Sequence, residues 1–293
     1  MTKLYKRKLL IAPSDTHCGS PVGLIHPKGF EGRNGFIKPT AVQKILWKQF
    51  EKSADQIRAL RTKDTQLIVA INGDSVEGIH HNNHQVSSPY VDEHEGIFAD
   101  VLDWYLNDID FSQSSGDLLY FTAGTESHTG AGWVSENNVA RDFGAVPWLK
   151  YRKTDDRAGV YTHPRLLLDL FGIKFDIAHH AEAGPGGRKW TRGNMFRSFL
   201  RSHYFELVDR REPVPDYFLR SHFHQFLNET VTGKQGSING FILPALQDAT
   251  NYVLRRSTSR SNIGVWMATV DSDGKHQWYC DVLELGQSRY KRT

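Results

Sequence analysis

Five short apolar runs in this chain each end in an acid or a histidine, and that recurrence narrows the folds open to it. Leu9 to Pro13 runs into Asp15 and His17. "QLIVAIN" (66–72) runs into Asp74, and "DLLYFTA" (117–123) into Glu126 and His128. "IKFDIA" ends at His179 and His180, and "DYFLRSH" (216–222) leads through His222 to His224. Runs of this length and composition read as buried strands. In open α/β sheets, ligands bind beyond the carboxyl ends of the strands. If the five strands lie near one another, their polar ends converge on one edge.

Between the runs the spacing turns helical. Thr40 to about Leu60 carries Val42, Ile45, Leu46, Phe50, Ala54, Ile57 and Leu60 on one face, and Thr40 with Gln43 forms a T-x-x-Q capping box. Residues 93 to 107 show the same period. "SENNVARDFG" predicts a short helix with Ser135 as N-cap and Gly144 just past its end. Another helical stretch spans about Thr191 to Asp209. The later half leans to β structure. Two strands are expected around Phe171-Gly172, and "FLNETVTGKQGSINGFIL" and "IGVWMATVDSDGKHQWYCDVLEL" read as hairpins. There is no repeat, low-complexity linker or evident boundary, so residues 1–293 read as one domain. The expected fold is α/β, with two packed mixed β-sheets flanked by helices.

With 39% hydrophobic residues among 293, the chain can bury a large core. A formal charge of +3 does not by itself demand a nucleic-acid or membrane partner. Two cysteines, Cys18 and Cys280, make no disulfide framework and fit a reducing compartment. No apolar run approaches the ~18 residues of a membrane helix. The apolar start, Leu9-Leu10-Ile11-Ala12, is too short for a signal peptide. A soluble, cytoplasmic protein with no membrane partner is expected.

The acids and histidines at the five ends form an oxygen-plus-imidazole set. That set suits Mn, Fe, Zn or Ni better than Ca or Mg. Seven or eight such groups exceed the need of one ion and suit two divalent metals held ~3.5–4 Å apart, as in hydrolytic sites. Two cations so close need a bridging carboxylate, and Asp74 in the "NGD" turn is the candidate. Water shared by such a pair has a lowered pKa and becomes a hydroxide nucleophile near neutral pH.

Taken in order, "SDTHCG", "NGDSVEG", "GTESH", "AHH" and "SHFH" resemble the motifs of the calcineurin-like metallophosphoesterases: D-x-H, G-D-x-x-D/E, G-N-H-D/E, H and G-H-x-H. The resemblance covers residues 8 to 230, and the opening "SDTHCGSPVGL" is also similar to phosphoesterases encoded by phages and some bacteria. It implies a metal-dependent phosphoester hydrolase with a dinuclear centre and a bridging hydroxide, acting on small phosphoesters. Asp15, His17 and His224 would bind one metal, Asp74 would bridge, and His222 and His179 would bind the other. His128 would contact the phosphate or protonate the leaving group. Mn²⁺ is the expected metal, with Fe, Zn or Ni as alternatives.

The chain departs from that pattern in two places. Gly124-Thr125-Glu126-Ser127-His128 lacks the asparagine of G-N-H, and Glu126 is expected to supply the missing oxygen. Thr125, or Asn82 or Asn83 in the loop after Asp74, are weaker substitutes. Ser221 replaces a glycine, with an effect expected on backbone geometry alone. Neighbours on a strand point to opposite faces, so one of His179 and His180 is expected to be a ligand, and His179, nearer the strand end, is favoured. The arginines that mark the family's protein phosphatases are absent from "GDSVEGI" and "AGTESH".

Other residues divide between a functional and an ordinary reading. Asp15 and His17 alone make only a polar turn. Cys18 as a nucleophile would need an activating base, and packing beside the site is the better reading. His81, in the histidine-rich "GIHHNNHQ", is a candidate for substrate contact, against a solvated loop. Arg197 and Arg201, at i and i+4 in a basic stretch, are candidates for phosphate contact, against a solvated helix face. They keep a nuclease acting on DNA or RNA as an alternative. A metal-free binding scaffold of the same fold is a second alternative.

Overall fold

A computed structural model describes residues 4–79, 85–150, 159–181, 184, 191–251, 254 and 260–285. Two mixed β-sheets pack face to face with helices on their outer sides. The first sheet is built from β1 (Arg7–Ala12), β2 (Thr65–Asn72), β3 (Leu118–Thr122), β4 (Thr162–His163), β10 (Trp266–Asp271) and β11 (His276–Cys280). Its strand order is β11-β10-β1-β2-β3-β4. The pairs from β1 to β4 are parallel, and β10 runs antiparallel to both β1 and β11.

The second sheet contains β5 (Leu166–Leu170), β6 (Ile173–Ile177), β7 (Tyr217–Arg220), β8 (Leu227–Gly233) and β9 (Gly236–Ile242), in the order β8-β9-β7-β6-β5. Here β6, β7 and β9 are parallel, and hairpin partners β5 and β8 close the edges. The hairpins expected on either side of Phe171-Gly172, within residues 226–243 and within residues 263–285, are all present.

The side-chain alternation of β1 explains the layering. Leu10 and Ala12, with Ile68 and Ala70 of β2, face the second sheet and pack on Phe175, Ile177, Tyr217, Leu219 and Phe241. Leu9 and Ile11, with Leu67, Val69 and Ile71, point the other way, toward helices α1 (Ala41–Leu60) and α2 (Val91–Asp108). A strand buried on both faces needs a continuous apolar run, which is what "LLIA" and "LIVAI" supply. Helix α1 delivers Leu46, Phe50, Ala54 and Ile57 to that core. Its start is fixed by the reciprocal capping box of Thr40 and Gln43.

Two shorter helices follow β3: α3 (Glu126–Thr129) and α4 (Val134–Asp142). Helix α4 begins one residue before the expected Ser135 cap. Trp133, at φ 56°, is its N-cap, because a 3-10 turn over Ala131–Trp133 leads directly into it. Its end is as expected. Gly144, at φ 65°, donates to Arg141 O, and Ala145 donates to Ala140 O, a Schellman closure. Helix α5 (Asn194–Asp209) covers the outer face of the second sheet, with Phe196, Leu200 and Tyr204 on Phe218, Val231, Ile238 and Ile242. No helix among the described residues is long and apolar enough to cross a membrane.

Candidate metal centre

The carboxyl ends of β1, β2, β3, β6 and β7 meet at one edge of the sandwich. Asn72, the last residue of β2, ties them together from a fully buried position. Its Nδ2 donates to Ala178 O at 3.2 Å and to Ser221 Oγ at 3.1 Å, and its Oδ1 accepts from Thr122 Oγ1 at 2.6 Å. Beyond these ends the backbone turns into the left-handed region. Among the described residues nine non-glycine positions have positive φ, and five of them are predicted ligands: Asp15 (51°), His17 (41°), Asp74 (48°), His222 (73°) and His224 (54°). Non-glycine residues rarely adopt this region, and when they do they cluster at functional sites.

The turns bring the side chains together. Asp15 Oδ1 lies 3.2 Å from His224 Nε2, 3.9 Å from His179 Nε2 and 4.0 Å from His17 Nε2. Asp74 Oδ2 lies 2.9 Å from His179 Nε2, 3.8 Å from His222 Nδ1 and 4.0 Å from His17 Nε2. Ligand atoms of Asp15, His17 and His224 all fall within 4.8 Å of one another, as do those of Asp15, Asp74 and His179. The same is true of His17, Asp74 and His128, and of His179, His180 and His222.

Asp15, His17, Asp74 and His179 are buried, yet Asp15 Oδ1, both ring nitrogens of His17 and His179 Nε2 have no hydrogen-bond partner. The His179–Asp74 approach is close in distance but lacks hydrogen-bond direction. Buried polar atoms left this way are costly unless something else satisfies them. The donors are carboxylate oxygens and imidazole nitrogens, converging with lone pairs uncommitted. They fit a divalent transition metal.

The electrostatics agree. Burial opposes the charge on Asp15, but His179 and His224 outweigh it and hold the carboxyl down at about 2. Burial also opposes the charge on Asp74, and His179 and His222 hold it well below the usual carboxylate range. His179 answers in the opposite sense: burial lowers it, but Asp74 and Asp15 raise it to about 10. Protons on histidine thus balance the two acids here, a task a metal ion takes over when histidine is a ligand.

A second set of residues supports the cluster. His179 Nδ1 donates to Asn72 O at 2.8 Å, with Ser221 Oγ 2.9 Å away. Ser221 therefore touches a candidate ligand directly, beyond the backbone effect expected of it. Glu77 Oε2 lies 3.1 Å from His17 Nδ1 and accepts from Gln247 Nε2 at 2.9 Å. Glu136, fully buried on α4, clamps two loops: it accepts from Ser75 N at 3.1 Å and from Gly124 N at 2.8 Å. Burial and the nearby Asp74 push its carboxyl up to about 7. Sequence reasoning missed these supports. Glu77 carried a signal, being the acid of G-D-x-x-E; Asn72 and Glu136 carried none.

The altered third motif resolves differently from expectation. Glu126 is exposed, and its Oε1 accepts from Gly132 N at 3.3 Å. The structure does not bring it to the cluster. Thr125 is there instead: its N–H donates to Asp74 Oδ1 at 2.6 Å, its hydroxyl donates to Asp74 Oδ2 at 3.0 Å, and the hydroxyl lies 3.3 Å from His222 Nδ1. Gly124 must be glycine, because a Cβ there would meet Asp74 N at 2.4 Å.

His128 reaches the same edge, with its ring 4.6 Å from that of His17. Its Nδ1 donates to Glu77 O at 2.8 Å, and burial with the neighbouring His17 lowers it to about 4. At neutral pH it is an uncharged ring whose proton sits on Nδ1. His180 is exposed but shares the group with His179 and His222, so both histidines of "AHH" stand at the edge.

Arg197 is committed elsewhere. Its Nε and Nη2 pair with Glu229 Oε2 at 2.7 and 2.6 Å, on the outer side of the second sheet. Arg201 is exposed on the same helix and is not brought to the cluster. His81, Asn82 and Asn83 lie outside the described residues. Cys18 is wholly buried in the core, and burial pushes its thiol up to about 12, so it is no nucleophile.

No protein-family model matches the chain, and no curated protein matches it. Solved structures are similar in fold at low identity. Vacuolar Protein Sorting 29 from Cryptosporidium parvum is 9% identical, covering 95% of this chain and 99% of that one, with a TM-score of 0.40. Wild-type Vps29 complexed with Zn²⁺ from Entamoeba histolytica is 10% identical over 94% of this chain and 98% of its own, with a TM-score of 0.36. YfcE, a phosphoesterase from E. coli, is 10% identical over 92% and 98%, with a TM-score of 0.33. At these levels the site has to be read from this chain's own residues.

Proposed function

We propose that this chain is a metal-dependent phosphoester hydrolase with a dinuclear centre, acting on small phosphoesters. One observation carries the reading: Asp15, His17, Asp74, His179, His222 and His224 converge, and the buried ligand atoms of Asp15, His17 and His179 among them have no hydrogen-bond partner. Asp15, His17 and His224 would hold one ion, and His179 and His222 the other. Asp74, within reach of His17, His179 and His222, would join the two. When bound, the metals supply positive charge at the phosphoryl oxygens and activate water as nucleophile.

The chain's own residues do the rest. Thr125 fixes both oxygens of Asp74. Asn72 orients His179 through its Nδ1, so that this ring presents Nε2, and the Glu77 carboxylate stands 3.1 Å from His17 Nδ1, where its charge favours a proton on that nitrogen. His128 stands beside His17 as a neutral ring, so it can act on a leaving oxygen as an acid only after taking up a proton. Without that uptake it serves as an acceptor or orienting group.

The test is metal analysis of the purified protein, followed by assay on p-nitrophenyl phosphate and bis-p-nitrophenyl phosphate with Mn²⁺, Fe²⁺, Zn²⁺ and Ni²⁺. Two bound ions per chain and turnover restored by Mn²⁺ after chelation are expected. No bound metal and no turnover with any of the four would leave the scaffold reading in its place.

A further inference from the structure

A pocket of about 220 Å³ opens beside the second-metal histidines, lined by Arg165, His180, Phe199, Ser202, His203 and Arg220 among others. His180 joins the two sites. Its ring lies 4.8 Å from those of both His179 and His222, and it forms part of the pocket wall. Under the pocket lies Asp176, fully buried on β6. Arg165 Nε donates to Asp176 Oδ1 at 2.9 Å and its Nη2 donates to Oδ2, while Arg220 Nη2 donates to Oδ1 at 3.1 Å. Burial works against charge on Asp176, yet His203, Arg220 and Arg165 hold its carboxyl far below the usual range.

Two guanidinium groups thus face one carboxylate. Glu206, the other acid at the wall, is paired with Arg210. Glu212 also acts on Arg165 through its charge, so what the wall offers is a guanidinium edge and not an excess of charge. Arg220 is nearly buried, with Nη1 donating to Asp176 O and Leu219 O. Arg165 is different: its side chain is 44% exposed, and Nη1 takes no part in the grip on Asp176. It is a cation locked in place by a buried acid, with donors to spare. Ser202 adds a hydroxyl at the same wall, while His203 Nε2 is turned toward Arg165 Nη2, 3.4 Å away, and toward Asp176. Fixed arginine beside small donors recognises phosphate oxygens.

We propose that this pocket binds a second phosphoryl group of the substrate, next to the one at the metal centre. This rests on the phosphoesterase reading above. It makes the preferred substrate one with at least two phosphoryl groups in succession, whether a nucleic-acid strand or a nucleoside diphosphate. A cluster that merely ties β6 and β7 to α5 would instead affect stability and treat all substrates alike.

The test uses the full chain with Arg165→Gln and, as a variant at an exposed position that blocks the pocket, Ser202→Trp. Metal-free protein in EDTA is titrated with a fluorescein-labelled oligothymidylate by anisotropy, with inorganic pyrophosphate as competitor. The Mn²⁺-loaded protein is assayed on bis-p-nitrophenyl phosphate, 5′-phosphorylated dithymidylate and thymidine diphosphate. Both variants should weaken oligothymidylate or pyrophosphate binding at least tenfold. Both should raise KM for a two-phosphoryl substrate by a similar factor, with kcat little changed and bis-p-nitrophenyl phosphate within about twofold. Loss confined to the dithymidylate identifies a strand, and loss confined to the diphosphate identifies a small ligand. Unchanged binding in both variants, equal losses on all substrates, or no binding by the unaltered protein would overturn the proposal. If the unaltered protein binds the probes but hydrolyses nothing with any metal, the phosphoesterase reading fails while the binding result still decides the pocket.

Discussion

Glu77 Oε2 sits 3.1 Å from the Nδ1 of His17, and the same oxygen accepts a hydrogen bond from Gln247. A carboxylate behind a ligand histidine fixes the ring's tautomer and raises its basicity. Glu77→Gln keeps the shape and removes the charge. Metal affinity should fall about 10- to 100-fold, with the circular dichroism spectrum unchanged. Calorimetric titration with Mn²⁺ measures this, and an unaltered Kd would show that Glu77 serves only packing.

Asp74 is within reach of three histidines and is held by Thr125 through both oxygens. Asp74→Asn should reduce the metal content below two per chain and lower kcat by at least a hundredfold, as the proposed sharing of this carboxylate by two cations requires. Elemental analysis beside a steady-state assay checks both. Full metal content with full turnover would remove the bridging role.

Metal binding should release protons. His179 is raised above its ordinary value of 6.5 to about 10, so without metal it is protonated at neutral pH. A ligand imidazole must be neutral, so the proton leaves as the ion enters. Adding Mn²⁺ to weakly buffered protein at pH 7.5 should acidify the solution, and affinity should rise with pH. A pH indicator reads the release, and a titration with no acidification would contradict it.

The same groups set the pH range of the metal-free fold. The raised His179 contributes stability that is complete below about 6.5 and is lost as pH rises through about 10. Asp15, depressed from 3.8 to about 2, contributes stability that is complete above about 3.8 and is lost as pH falls through about 2. Melting temperature in EDTA should therefore decline toward both extremes. Asp15→Asn should flatten the acid side, as differential scanning fluorimetry across pH would show.

Gly124→Ala isolates the role of close approach. The added Cβ would meet Asp74 N at 2.4 Å and Asp74 Oδ1 at 2.6 Å. The loops after β2 and β3 would have to part, at a cost of about 1–3 kcal/mol. Metal affinity should fall together with melting temperature. A variant that kept both would show that the loops have slack.

The sandwich and most of the cluster were legible in the sequence because each rests on a strong local signal. Strands buried on both faces leave continuous apolar runs, and the residue just past each run is placed by the sheet. The third motif was not legible. Helix α3 starts at Glu126, and that one-turn rotation carries its side chain to solvent while Thr125, one residue earlier, stays against Asp74. Arg197 and Arg201 share a helix face by spacing, but spacing cannot say that Glu229, from a strand beyond the helix, meets Arg197. The support from Glu136 depends on a helix folding back over two loops, a contact with no periodic trace.

The left-handed turns at Asp15, His17, Asp74, His222 and His224 set the protein's stability against its chemistry. Each holds an L-residue in a region that costs roughly 1–2 kcal/mol and that glycine enters without penalty. Glycine at any of these positions would relax the backbone while deleting a ligand. A relaxed backbone and a complete ligand set are therefore incompatible at these five positions.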